Sequence, residues 1–278
     1  MQKNQARRPY FKLASKFCGV LATLLVVAAC ATAPTDPEEL KEFQAVNDPG
    51  EPVNRQIFAF NQGVDKVVLK PVTGLYRNLP QDIRSGIHNF LNNLRTPVIL
   101  FNDVLQGEFD RAGTTLARFF INSTVGIAGF SDMAGRMGLE FHDEDFGQTL
   151  GVWKIEEGPY VMLPLIGPSN FRDTVGIVVD FLIDPLNMWA ANTGRDFITY
   201  ARTGATAIDL RDQLWDVLDD LEKSSVDFYA ALRSTYRQRR NDEIRNGEGS
   251  ESRPAPNLSS IGGEEVSTTK NGQKGPAE

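Results

Sequence analysis

Two histidines and a run of acids are the residues best suited to metal binding or acid–base chemistry. His142 precedes Asp143, Glu144 and Asp145, and this compact patch of oxygens could bind a hard cation. It lacks the alternating ligands and central glycine of an EF-hand loop, so a solvated turn is the favoured alternative. His88 lies within an amphipathic helical pattern, away from any cluster of acids in the sequence. We therefore predict no metal site.

The familiar catalytic motifs are missing from the chain. No serine stands in a G-x-S-x-G elbow, and there is no P-loop, no H-E-x-x-H and no G-x-G-x-x-G after a strand. The adjacent acidic pairs at 156–157 and 219–220 are typical of solvated faces. A lipid-cleaving enzyme would need a serine paired with His88 or His142 in a cleft. We predict that the chain is not an enzyme, and we assign no catalytic residue and no diffusible cofactor.

Cys30 follows a leader suited to export. Residues 1–29 begin with a basic region and continue with an apolar stretch shorter than the roughly 20 residues that cross a bilayer, which is typical of a signal peptide. The leader closes on V-A-A-C, which resembles a bacterial lipobox. Such a motif predicts cleavage before Cys30 and a covalent lipid on its sulfur. The alternative is a chance cysteine after an ordinary signal-peptidase site.

The chain that remains after cleavage is acidic. The leader carries five of the 29 basic residues and none of the 36 acidic ones, so the net charge from Cys30 onward is −12. Nucleic-acid binding needs basic surface to replace counterions, which argues against a nucleic-acid partner. Acyl chains and apolar surface, rather than bulk charge, must hold such a chain on a membrane. Cys30 is then the only cysteine, which excludes a disulfide within the chain.

An apolar, proline-interrupted ribbon occupies residues 159–168. Prolines at three of its positions forbid a continuous helix and disfavour a central strand. One interpretation is a loop buried against helices. The other is a surface that meets lipid. The candidate membrane-contacting residues are Tyr160, Val161, Met162, Leu163, Leu165 and Ile166.

Helical periodicity predominates in the rest of the chain. A first helix begins near Val53 and is predicted to stop at Pro71; a second runs from Ile83 and is predicted to end at Pro97. A short run that is apolar on all sides then continues to Gly107. A third helix ends near residues 122–124.

The glycine-rich stretch that follows, residues 125–138, is either a loose set of turns or a flexible segment that packs tightly. Beyond the ribbon, Ser169 and Asn170 can cap a helix, although its apolar body at 175–183 fits a buried strand equally well. Residues 186–203 and 208–236 suggest further helices. No hairpin signal stands out. The fold class is therefore predicted to be all-α.

The organisation along the chain follows from these features. We predict a signal peptide at 1–29, a lipidated tether at 30–47, one helical domain at 48–244 and a disordered polar tail at 245–278. The tail is rich in Gly, Ser, Glu and Pro and cannot bury enough apolar surface to fold alone.

Seven motifs in a fixed order make the chain resemble the MlaA/VacJ lipoproteins of Gram-negative outer membranes. The resemblance covers residues 48–236. The motifs are D-P-x-E-P-x-N-R-x-I-F-x-F-N from Asp48, R-x-G-I-x-N-F-x-x-N-L from Arg84, P-V-I-L-F-N-D-x-L-Q-G from Pro97, R-F-F-I-N-S-T-x-G from Arg118, F-G-Q-T-L-G from Phe146, G-P-Y-V-M-L-P from Gly158 and G-P-S-x-x-R-D from Gly167.

The resemblance implies a single ring-like helical domain in the inner leaflet of the outer membrane, lipid-anchored and facing the periplasm. In many Gram-negative lipoproteins the residue after the lipidated cysteine influences sorting, and Ala31, rather than an aspartate, resembles the type that is sent to the outer membrane. It implies a channel through which mislocalised phospholipids leave the outer leaflet, so that lipid asymmetry is maintained. The implied partners are phospholipids, a trimeric porin, a soluble periplasmic carrier and, through it, an inner-membrane ABC transporter.

A path for phospholipid must accommodate a polar head as well as apolar tails. By helical spacing, the candidate channel-lining residues are Asn54, Asn61 and Asp65 on the first helix and Arg84, Asn92 and Arg95 on the second. The alternative for each is an ordinary solvated face. The competing hypothesis for the whole chain is a structural adaptor lipoprotein that binds a porin or envelope complex without moving lipid; it predicts a closed core with the ribbon buried.

Overall fold

The computed structural model describes residue 36 and residues 46–246 of the chain. Helices account for nearly all of its regular structure, which confirms the all-α fold class. The predicted leader, lipidated Cys30, most of the tether and nearly all of the polar tail lie outside the described residues. The elements are α1 (Glu51–Val64), α2 (Lys70–Tyr76), α3 (Gln81–Gln106), α4 (Phe109–Thr124), α5 (Met133–Arg136), α6 (Phe146–Val152), β1 (Tyr160–Leu163), β2 (Gly167–Asn170), α7 (Phe171–Ile183), α8 (Pro185–Asn192), α9 (Asp196–Gln213), α10 (Trp215–Ser224) and α11 (Phe228–Ile244).

The first helix of the chain does not stop at Pro71 but continues as one rod, residues 51–76, which we call the first rod. A π-helical turn, Asp65–Leu69, joins α1 directly to α2, and Pro71 lies at the start of α2. The hydrogen-bond register changes at this junction. A proline in the first turn of a helix is tolerated, because the backbone N–H that it lacks has few partners within the helix at that position. The predicted stop is therefore wrong.

Pro97 also lies inside a helix, contrary to the prediction. α3 runs through Pro97 without a break and has 26 residues in all, a length of about 39 Å. The cost of the missing N–H is offset by burial on the following turn, where Val98, Ile99 and Asn102 have almost no exposed surface. The helix ends as expected at Gly107, whose φ of 81° is left-handed.

Two glycines bring α6 and α7 into close contact. A Cβ added at Gly176 would lie 2.3 Å from the backbone nitrogen of Gly147, so only glycine fits at this crossing. Asn170 caps α7 by accepting from the backbone N–H of Asp173 at 2.7 Å, as predicted. The apolar body at 175–183 is a helix and not a strand.

The proline-interrupted ribbon forms an antiparallel hairpin, which the sequence did not indicate. Tyr160 pairs with Asn170 and Leu163 with Gly167 across β1 and β2. With only two strands both are edges, so Pro168 removes no inner ladder bond. Tyr160 and Met162 pack with Tyr229 of α11 in the apolar core.

The glycine-rich stretch at 125–138 consists of turns and the short helix α5, and one of its turns packs closely against α3 at Gly129. A Cβ on Gly129 would lie 2.4 Å from the Cβ of Asn93, and Ile127 and Ala128 adopt positive φ. The later predicted helix at 186–203 is divided by Gly194, which has a φ of 68°, into α8 and α9.

Candidate functional site

A row of polar side chains follows one face of α3. Arg84, His88, Asn92 and Thr96 recur at every fourth residue, a spacing that places them one above the next on a helix. α9 and α4 both pack against α3. The row therefore lies between helices and is not an ordinary solvated face.

Two buried acidic residues of α9 contact the first two side chains of this row, Arg84 and His88. Asp209 and Asp212 are one helical turn apart and expose less than a tenth of their surface. His88 Nδ1 lies 2.7 Å from Asp209 Oδ2, and Arg84 Nη1 donates to Asp212 Oδ2 at 2.7 Å. The two contacts form an ion-paired seam between α3 and α9.

A cavity of about 210 Å³ opens next to this seam. α3, α4 and the segment after α4 all contribute to its wall. The lining residues are His88, Asn89, Asn92, Asn93, Thr96, Arg118, Asn122, Asp132 and Phe141.

Both signs of charge are fixed on the α4 side of the cavity. Arg118 Nη2 donates to Asp132 Oδ1 at 3.0 Å, and the other terminal nitrogen donates to the Leu139 carbonyl. Burial disfavours the charged form of Asp132. The backbone N–H of Gly135, the amide of Asn122 and the Arg118 guanidinium outweigh that effect and hold the pKa of Asp132 below its ordinary value. The cavity wall therefore carries a cation and an anion side by side.

His88 is the titratable group at the junction of seam and cavity. Its hydrogen bond with Asp209 raises the pKa of the imidazole above the ordinary value, although burial opposes the shift. The Asn92 amide nitrogen lies 2.9 Å from Nε2. An amide nitrogen only donates, so this network assigns the proton of the neutral ring to Nδ1, facing Asp209.

The predicted acidic patch is not a solvated turn. Glu144 is 1% exposed and accepts from Gln106 at 2.8 Å and from Arg111. Asp145 caps α6 and pairs with Arg240 at 2.6 Å. Among the residues that the structure describes, no group of three or more His, Cys, Asp or Glu side chains could hold a metal ion.

Only part of the predicted channel lining reaches the cavity. Asn92 lines it and Arg84 lies in the adjoining seam. Asn54 and Asn61 instead bind the backbone of the β1 hairpin: Asn54 accepts from Met162 N at 3.0 Å and Asn61 donates to the Leu163 carbonyl at 2.9 Å.

The two remaining channel candidates are held in ion pairs. Asp65 pairs with Arg211 at 2.8 Å, and Arg95 pairs with Asp143 at 2.7 Å. Neither Asp65 nor Arg95 lines the cavity of about 210 Å³.

The ribbon provides less lipid-facing surface than predicted. Tyr160, Met162 and Leu163 are at most 5% exposed, because β1 packs against α1 and α11, so these three predicted membrane-contacting residues present almost no surface to lipid. Val161 is half-buried. Leu165 and Ile166, at the turn, remain exposed.

The sequence reasoning missed His88, Arg118, Asn122 and Asp132 as site residues. A usable signal was present for two of them, since Arg118 and Asn122 lie four residues apart on α4, on the face that also carries Thr115. No local pattern pointed to Asp132.

Large apolar side chains cover much of the outer surface. Val67 and Leu75 on the first rod are more than 70% exposed, as is Ile127 beyond α4; Phe197 and Tyr200 of α9 are nearly as open. Among the described residues no single helix is long and apolar enough to cross a membrane, although α7 and α8, bent by 55° at their junction, pass that test as a pair.

Comparison with known proteins identifies the family. The sequence profile of the MlaA lipoproteins matches residues 46–243. The chain belongs to the MlaA lipoprotein family. Its MlaA-like region therefore contains both the ion-paired seam and the cavity.

Relatives and a solved structure agree with this assignment. The intermembrane phospholipid transport system lipoprotein MlaA of Escherichia coli K12 is 34% identical over 248 residues, which cover 87% of this chain and 92% of the relative. The protein of the same name from Haemophilus influenzae is 29% identical, with 84% and 93% covered. A solved chain from work on the structural basis for maintenance of bacterial outer membrane lipid asymmetry superposes with a TM-score of 0.63 at 35% identity, covering 71% of this chain and 98% of that chain. The MlaA relatives are named as lipoproteins of a phospholipid transport system.

Proposed function

We propose that this protein removes mislocalised phospholipids from the outer leaflet of the outer membrane through an amphipathic path and passes them to a soluble periplasmic carrier. The observation that carries the proposal is the polar cavity between α3 and α4 inside a molecule with apolar outer faces. A phospholipid combines a charged head with apolar tails, and the two surfaces match its two parts. The named relatives belong to an intermembrane phospholipid transport system.

The distribution of polarity supports immersion in lipid. Among the described residues, 24 polar or charged side chains are buried against ten apolar ones, while 31 large apolar side chains are exposed. A water-soluble protein normally shows the reverse preference at its buried positions, and large exposed apolar areas mark contact with a membrane or a partner. This pattern favours contact with a membrane, and the location that we propose is the inner leaflet of the outer membrane, with the periplasmic side left for exchange.

A covalent lipid on Cys30 would hold the chain at that membrane. Acyl chains contribute roughly 0.8 kcal/mol for each buried methylene, and two or more chains give stable anchoring. With a net charge of −12 after cleavage, the chain has no bulk electrostatic attraction to anionic headgroups. A trimeric porin beside it, a soluble carrier below it and an inner-membrane ABC transporter beyond are the proposed partners.

A structural adaptor that binds a porin or envelope complex without moving lipid is the second candidate. The observation that favours it is the buried hairpin, because that hypothesis predicted a ribbon packed against the core. The adaptor hypothesis does not explain the cavity lined by His88, Arg118 and Asp132. Surface phospholipid distinguishes the two functions.

The experiment is a measurement of outer-leaflet phospholipid in a deletion strain. The strain is complemented with wild type, with Cys30→Ala, or with a chain lacking residues 246–278. We expect phospholipid to accumulate at the surface of the null strain, to clear with wild type and with the truncated chain, and to clear less with Cys30→Ala. An unchanged outer leaflet in the null strain, accompanied by loss of a porin complex, would establish the adaptor instead.

A further inference from the structure

We propose that the cavity of about 210 Å³ is a subsite for a zwitterionic phospholipid headgroup, with His88 and Arg118 meeting the phosphate and Asp132 meeting the ammonium group. This inference rests on the proposed function and specifies the part of the lipid that the cavity receives. It also predicts a preference: phosphoethanolamine-type headgroups over anionic ones.

The cavity is built from buried polar side chains. Arg118, Asn122, Asn93 and Thr96 are each more than nine-tenths buried and all line it. Burying a polar group is costly unless it finds a hydrogen-bond partner. A wall with many donors and acceptors therefore suits a ligand that carries both, and excludes acyl tails.

The charges of the wall match a zwitterion. The guanidinium of Arg118 and the carboxylate of Asp132 are 3.0 Å apart and neutralise each other in the cavity wall. A phosphate and an ammonium group can approach them as a second pair of opposite charges without leaving net charge in the cavity. A singly anionic headgroup adds an unbalanced charge next to Asp132 and Asp209, which electrostatics disfavours.

His88 can supply a hydrogen-bond donor to the phosphate once its ring is protonated. In the neutral ring Nε2 accepts from Asn92, while Nδ1 faces Asp209 at 2.7 Å. Taking up a proton from solvent at Nε2 turns this atom into a charge-assisted donor, and rotation of the Asn92 amide then presents its oxygen instead. Asp209 stabilises the resulting cation, so an entering phosphate meets a pre-oriented imidazolium.

Phe141 adds an aromatic surface beside these charges. It lines the cavity and is 43% exposed, and the Arg118 guanidinium already lies 5.5 Å from its ring centroid. A ligand cation over an aromatic face is attracted by the electron density of the ring. The ring therefore offers an ammonium group a second contact.

The test is a titration followed by nuclear magnetic resonance of the histidine rings. The chain has two histidines, so a lipidated full-length sample in detergent, purified without a histidine tag, gives two ring signals. His88 lines the cavity, whereas His142 contacts Asp103 and Thr115 and serves as an internal reference. The probes are glycerophosphoethanolamine, glycerophosphoglycerol and inorganic phosphate, none of which carries acyl tails.

We expect glycerophosphoethanolamine to move the His88 signal saturably while the His142 signal stays in place. Glycerophosphoglycerol and phosphate should bind more weakly. Asn92→Leu removes one polar partner at similar side-chain size and should weaken binding about fivefold to tenfold. Asn192→Leu, at an exposed position on α8, makes the same chemical change and should leave binding unchanged.

Two results would overturn the headgroup subsite. They are a stationary His88 signal in the wild type with all three probes, and equal responses to inorganic phosphate and glycerophosphoethanolamine. The titration requires no transport, so it is independent of the surface-phospholipid assay. A null strain with a normal outer leaflet would refute the proposed function without changing the titration result.

Discussion

His88 shows how much one residue depends on partners that the chain supplies from elsewhere. Its ring contacts Asp209 on α9, it lines the same cavity as Arg118 and Asp132, and Arg84 lies one turn away on its own helix. The hydrogen bond with Asp209 has the largest effect on the pKa of His88. Protonation of His88 is therefore favoured in the folded state.

The stability of the protein should depend on pH through this pair. The folded-state pKa of His88 is raised above its ordinary value near 6.5, so the stabilisation is complete below that value and disappears as pH rises through the folded pKa. We expect the melting temperature of wild type to exceed that of His88→Gln by more at about pH 5.5 than at about pH 8.5. Thermal unfolding of both proteins across this range measures the difference. A difference that is the same at both ends would contradict the assigned pair.

At the scale of an element, α11 joins distant parts of the molecule. Arg233 pairs with Asp48 at 2.6 Å, Arg237 with Glu157 at 2.6 Å, and Arg240 with Asp145 and Asp173. These arginines share one face because they are separated by four and three residues. The helix therefore holds the start of α1, the β1 hairpin and the α6–α7 pair together.

Two neighbouring arginines of α11 provide a matched test. Arg240 is 8% exposed between two carboxylates, and removing one partner of a buried ion pair costs about 3–5 kcal/mol. Arg239 makes an exposed i,i+4 pair with Glu243, worth about 0.3–0.5 kcal/mol. We expect Arg240→Ala to lower the free energy of unfolding severalfold more than Arg239→Ala in denaturant titrations. Equal effects would show that α11 is not an anchoring helix.

For the whole molecule, the exposed apolar surface is the property that calls for a partner. Val67 and Leu75 lie on the same rod, two turns apart, and both are more than 70% exposed. Burying such a side chain in an apolar phase is worth about 1.5–3 kcal/mol. Lipid contact along this rod would therefore contribute to membrane binding in addition to the proposed lipid on Cys30.

Introducing charge on this rod should weaken membrane binding. In a Cys30→Ala background, which carries no anchor, we expect Val67→Glu combined with Leu75→Glu to reduce binding to phospholipid vesicles about tenfold or more. Gln213→Glu combined with Gln238→Glu adds the same charge at exposed polar positions and serves as the control. Vesicle flotation measures the bound fraction. Equal losses of vesicle binding in the two double variants would mean that added charge, and not this apolar surface, controls binding.

Local chemistry predicted much of the fold. The left-handed end of α3 at Gly107 and the cap of α7 at Asn170 depend on neighbouring residues alone, and both predictions are confirmed. The predicted stop at Pro71 was wrong because a π-helical turn places that proline in the first turn of α2, and the stop at Pro97 was wrong because packing on the following turn offsets the cost of the proline. The hairpin was missed because a two-stranded ribbon accepts prolines at its edges.

The sequence by itself determined the helical class, the family motifs and the faces on which polar residues of α3 lie, because periodicity and motif order are properties of the chain alone. Only the tertiary structure decided which polar residues meet. Asp209 reaches His88 across 121 positions, and Arg118 and Asp132 join them from a third direction. Helical spacing fixes the face of a residue but not its partner, since the partner depends on how separate helices pack. The polar cavity is a product of that packing.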